Sequence, residues 1–190
     1  MTPHAYETPQ AYETAQAYEG KGAGGGPGVD APRALLFLDV DGPLIPFGTR
    51  DGADPAYPTF PPAPPASVSP LLARLDPAQG PRLAALPYAL VWATTWEADA
   101  NAWVAPRLGL PELPVVPWTD GPGAPGVHWK APALVAWAAG RPFAWVDDEI
   151  GAADRAWVAA HHAGEALLHR VDARRGLGSE DFAALAAWVR

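Results

Sequence analysis

Apolar residues along this chain come in short runs that end on charge. Leu35-Leu36-Phe37-Leu38 leads directly into Asp39-Val40-Asp41-Gly42, and an apolar run of this length bounded by turn residues predicts a fully buried strand. Tyr88 to Ala93 predicts a second buried strand. Phe143-Ala144-Trp145-Val146 predicts another, ending at Asp147-Asp148, and Ala166 to Val171 one more. Leu113 to Trp118 reads as a short strand broken by prolines, which suits an edge position. Helical spacing of Trp96, Ala100, Trp103 and Val104 predicts a helix from Trp96 to Leu108, with Pro106 near its end. Further helices are predicted over Ala131 to Ala139 and Gly151 to Ala163. A last helix is capped by Ser179, with Glu180 and Asp181 in a first turn where negative charge is favoured.

Strands that alternate with helices predict a mainly parallel sheet covered on both faces, a three-layer α/β/α domain of Rossmann-like type. Ligands of such sheets bind beyond the carboxyl ends of the strands. Asp39, Thr94 and Asp147 each follow a predicted strand at that end.

Two stretches lack this patterning. Residues 1–30 carry a short repeat, Ala5-Tyr6-Glu7-Thr8-Pro9-Gln10 followed by Ala11-Tyr12-Glu13-Thr14-Ala15-Gln16, and then a glycine-rich run from Gly22 to Gly28. They read as a disordered tail and linker. Residues 31–190 form the expected globular domain, interrupted at 54–70 by a loop containing Pro61-Pro62-Ala63-Pro64-Pro65, where proline density forbids helix and ladder pairing.

Composition narrows the picture. Of 190 residues, 49% are hydrophobic, enough for one sizeable core. A net charge of −8 disfavours broad nucleic-acid binding, which needs a basic face. The absence of cysteine removes disulfides and thiolate chemistry. The Met1-Thr2-Pro3-His4 start has neither the basic nor the apolar region of a signal peptide, and no run approaches a membrane span, so a soluble cytoplasmic protein without membrane partners is expected.

The candidate chemistry lies at Asp39 and Asp41. Alternation along a strand sends both to one side with Val40 opposite. Two acids facing one point repel unless a cation or a phosphate-binding cradle organises them. A strand-end turn with capping acids is the bland alternative. Gly121 to Gly126 matches G-x-G-x-x-G formally, but its prolines remove amide donors, and it is read as a loop. The five histidines show no zinc spacing.

Taken together, these residues resemble the haloacid dehalogenase (HAD) superfamily of phosphohydrolases, over roughly Ala34 to Ile150. Leu38-Asp39-Val40-Asp41-Gly42 is similar to its first motif and Val91-Trp92-Ala93-Thr94-Thr95 to its second. Lys130 stands at the third, and Trp145-Val146-Asp147-Asp148-Glu149 resembles the acidic fourth. Pro43 departs from the usual Thr or Val. The resemblance implies a phosphorylated substrate and Mg²⁺, with Asp39 as nucleophile forming an aspartyl-phosphate and also as metal ligand. It implies that Asp41 is the general acid and base, its backbone carbonyl completing the metal site. Thr94 or Thr95 would contact phosphate, with Thr94 preferred as the first residue past the apolar run. Lys130 would hold negative charge. Asp148 aligns as the direct metal ligand, with Asp147 supporting it or taking its place. No stretch is long and patterned enough for an inserted cap domain, which implies an open or minimally lidded site. A phosphatase acting on nucleic-acid ends and a non-catalytic binding domain of the same fold are the alternatives.

Overall fold

The computed structural model describes residues 33–49, 57, 69–118 and 124–189. The repeat tail and linker expected over residues 1–30 lie outside the described residues, as does most of the proline-rich loop.

Four strands form one sheet: β1 (Leu35–Leu38), β2 (Ala89–Trp92), β3 (Phe143–Asp147) and β4 (Ala166–Arg170), all parallel and in the order β2-β1-β3-β4. Parallel neighbours need crossover connections, and helices supply them. A 3-10 turn (Pro70–Arg74) and α1 (Gln79–Ala84) follow β1. A π-helical turn (Ala100–Val104), α2 (Ala105–Leu108) and α3 (Ala131–Ala138) follow β2. α4 (Ala152–His161) joins β3 to β4, and α5 (Ser179–Trp188) comes last. Among the described residues no helix is long and apolar enough to cross a membrane.

Alternation along the strands divides the core in two. Leu36, Leu38 and Val40 pack on one face with Trp92, Ala144 and Val146, under side chains of α1, α2 and α5 such as Leu83, Leu108 and Leu185. Leu35 and Phe37 pack on the other with Val91, Phe143 and Trp145, under α3 and α4 through Leu134 and Val158. Helices therefore cover both faces. Leu36, Phe37 and Leu38 are fully buried, and each such side chain stabilises the fold by roughly 1.5–3 kcal/mol.

Three local expectations change. The strand expected over Leu113–Trp118 contracts to one bridge, Val115 beside Trp92, flanked by Trp92 N to Pro114 O (2.8 Å) and Val116 N to Trp92 O (2.9 Å). Pro114 and Pro117 have no N–H to extend the ladder. The helix expected from Trp96 widens to a π turn in which Ala105 N donates to Ala100 O. Pro106 follows it, and its missing donor and bulky ring disturb the preceding helical turn. Ser179 is the first residue of α5 and not its cap; Gly178 is the cap, and its N–H donates to Asp181 Oδ2 at 2.7 Å.

The strand order positions a site. From β1 the chain moves to β2 on one side, then returns to β3 on the other and continues outward to β4. The crevice beyond the carboxyl ends of β1 and β3 is thus a topological switch point, where open parallel sheets bind ligands.

Candidate functional site

Asp39 and Asp147 come from the two strands that flank this crevice. The ladder pairs Leu38 with Val146, and Asp39 N donates to Val146 O at 3.1 Å, so the next step sets Asp39 beside Asp147. By alternation both continue the face that α3 covers, following Phe37 and Trp145 respectively. Lys130 is the residue at which α3 begins. Its Nζ lies 2.7 Å from Asp39 Oδ2 and 2.8 Å from Asp147 Oδ2, so one ammonium bridges two carboxylates. All three groups are buried, Asp147 completely.

Asp147 is held on every side. Oδ2 also accepts from Trp145 Nε1 at 3.3 Å, and Oδ1 accepts from Glu149 N at 2.9 Å. Asp148 is half-buried and closes the cluster: one carboxylate oxygen from each of Asp39, Asp147 and Asp148 lies within 4.8 Å of the others. Gly42 makes room for it. With φ at +83°, Gly42 occupies the left-handed region, and a Cβ there would stand 2.6 Å from Asp148 Cγ.

Charge is unbalanced in this pocket. Three carboxylates face one ammonium, and low polarity magnifies the excess. Burial pushes the Asp39 carboxyl up to about 7; Lys130 pulls it back in part, while Asp147 adds to the rise. Burial also raises Asp148, and the charges of Asp147 and Glu149 reinforce that rise. Burial works against the Lys130 ammonium, but Asp39 and Asp147 outweigh it and hold its pKa above the ordinary lysine value. Two ionised carboxylates beyond what Lys130 balances are the charge a divalent cation would neutralise. A cluster of carboxylate oxygens is a donor set for a hard divalent cation.

The remaining expected residues take distinct places. Asp41 is not in the carboxylate cluster: its Oδ2 accepts from Trp96 Nε1 at 2.9 Å. Trp96 packs against the face carrying Leu36 and Leu38, so Asp39 and Asp41, expected on one side of the strand, are held from opposite layers. The β1 ladder stops at Leu38, and Asp41 bridges Ile45 in the turn that follows. Thr94 is fully buried at the end of β2, where Ala93 N still donates to Leu38 O at 2.9 Å. Its hydroxyl accepts from Trp96 N at 3.3 Å, which leaves the hydroxyl proton free to donate elsewhere. Thr95 is exposed.

Several supporting residues were not singled out by sequence. His128 Nδ1 accepts from Lys130 N at 3.1 Å, and Nε2 pairs with Glu149 Oε2 at 3.1 Å. His128, Asp147 and Glu149 form a second group with donor atoms within 4.8 Å, but both ring nitrogens are already engaged, so His128 braces the start of α3. No spacing rule would have found it. Trp145 was findable, since it stands two residues before Asp147 on the same strand. Comparison with protein-family models, with curated proteins and with solved structures gives no match.

Proposed function

We propose that the protein is a Mg²⁺-dependent phosphohydrolase of the haloacid dehalogenase type, cleaving a phosphate monoester through an aspartyl-phosphate on Asp39. The observation that carries this reading is the Lys130 bridge between Asp39 and Asp147, with Asp148 beside them at the sheet's switch point. A structural ion pair needs one acid for one base. This pocket gathers three acids around one base and leaves the nearest one, Asp39, reluctant to ionise. A phosphate dianion arriving alone would worsen the imbalance; arriving with a divalent cation it would not.

Asp39, Asp148 and the backbone carbonyl of Asp41 are the groups that would hold Mg²⁺, with Asp147 orienting Lys130. When bound, the ion neutralises phosphoryl charge and orients the ester. Asp39 supplies the attacking oxygen. Lys130 holds the charge that develops on the phosphoryl oxygens, and Thr94 donates its free hydroxyl proton to one of them. Asp41 protonates the departing ester oxygen. It then takes a proton from the water that attacks the aspartyl-phosphate, which returns Asp39 and releases inorganic phosphate. The strand order, with β1 central and acid-bearing β3 beside it, supports the same family reading.

Phosphate release from an aryl phosphate tests it, measured with Mg²⁺ and with EDTA. Wild type is expected to turn over only with the metal, and Asp39→Asn to lose activity on the order of 10³-fold or more. Release that survives both treatments would overturn the proposal.

A further inference from the structure

The hydrogen bond to Asp41 is not explained by the resemblance of the four segments. The indole that makes it is delivered by a tightly tied turn. Thr94 Oγ1 accepts from Trp96 N, and the Thr94 carbonyl accepts from Glu97 N at 3.3 Å and from Trp118 Nε1 at 3.0 Å. Glu97 has φ at +47°, a left-handed conformation that costs a residue with a side chain about 1–2 kcal/mol. Strain of this kind persists where surrounding contacts over-determine it, commonly at functional sites. Glu97 itself is exposed; what the strained turn orients is the half-buried ring of Trp96.

An indole N–H donates and cannot accept. The unprotonated oxygen of a carboxyl is the stronger acceptor, so this contact favours a proton of Asp41 on Oδ1. We infer that Trp96 is a positioning residue that assigns the two Asp41 oxygens, with Oδ2 anchored and Oδ1 exchanging the proton. This inference rests on the phosphatase reading and deepens it. In the first half-reaction an Asp39 oxygen bonds to phosphorus, the phosphorus–ester oxygen bond breaks with its electron pair staying on the ester oxygen, and the proton moves there from Oδ1. In the second, water oxygen bonds to phosphorus, the bond to Asp39 breaks, and the water's proton moves to Oδ1. Trp96 neither gains nor loses a proton. Its contribution is orientation, since a carboxyl free to rotate would present the wrong oxygen part of the time.

Trp96→Phe keeps an aromatic ring and removes the N–H. The comparison is kcat/KM, with Mg²⁺, for an aryl phosphate with a good leaving group and an alkyl phosphate with a poor one. Proton delivery matters most when the leaving oxygen is basic, so the alkyl ester is expected to lose about tenfold or more and the aryl ester less than about threefold. In an Asp41→Asn background, Trp96→Phe should cause no further loss. Equal losses on both esters, or a full additional loss beside Asn, would overturn the inference. The contact is read separately: the indole N–H resonance that disappears in Trp96→Phe should shift in Asp41→Asn, and an unmoved resonance would also overturn it. A wild type that releases no phosphate would overturn the catalytic role together with the phosphatase reading, and the resonance shift would then show that the contact alone is present.

Discussion

The two faces of the sheet are built by one alternation and finish in opposite ways. On one, Leu36 and Leu38 are followed by Val40, and Ala144 by Val146, all buried and apolar. On the other, Leu35 and Phe37 are followed by Asp39, and Phe143 and Trp145 by Asp147, where the lysine that opens α3 meets them. Neighbouring residues of the same strand thus serve different ends. The apolar face holds the strands in place, and the face that ends in charge gives up stability to keep acids close together. The difference lies in strand parity and in which helix begins above the strand ends.

This contrast can be broken by substitution. Lys130→Met removes the shared counter-charge and leaves Asp39 and Asp147 buried without it, so it should destabilise the metal-free protein by about 3–5 kcal/mol at pH 8. The loss should shrink in acid, where Asp39 is protonated. Leu38→Ala on the opposite face should cost about 2–5 kcal/mol through lost contacts and a cavity, with the same cost at pH 5 and pH 8. Urea denaturation at both pH values separates the two. Identical pH responses would mean that the faces do not differ in the way described.

A smaller effect sharpens the comparison without mutation. Asp39 sits at about 7 in the folded protein against an ordinary value of 3.8. Between those values the folded state binds more protons than the unfolded one, so metal-free stability should fall as pH rises through that window. After discounting for the shared lysine the fall should be on the order of 1–3 kcal/mol. Added Mg²⁺ should flatten it, and Asp39→Asn should remove it. A stability that rises from pH 5 to pH 7.5 without metal would contradict the assignment.

Much of this organisation was legible in the residue pattern. The four strands were marked by apolar runs, and their shared parallel direction followed from the helices between them. Asp39 and Asp147 were legible because each ends such a run. Lys130 as a bridge between them was not readable from its own surroundings, since a lysine at a helix start is usually solvated. Trp96 stood out, just after Thr94-Thr95, as a residue at the site mouth, but its bond to Asp41 was the hardest case. That bond depends on a left-handed Glu97 that no residue preference announces. The short edge strand expected over Leu113–Trp118 keeps only the Val115 bridge to Trp92, because Pro114 and Pro117 cannot donate to a longer ladder.

Covalent chemistry at Asp39 can be read by trapping the proposed intermediate. Asp41→Asn, turning over an aryl phosphate with Mg²⁺, should stall after the first transfer because it lacks the base for the second. Acid quenching followed by peptide mass spectrometry should then find a phosphoryl group on Asp39. Phosphate release at a measurable rate with Asp39 never modified, or with the phosphoryl group on another residue, would contradict the account.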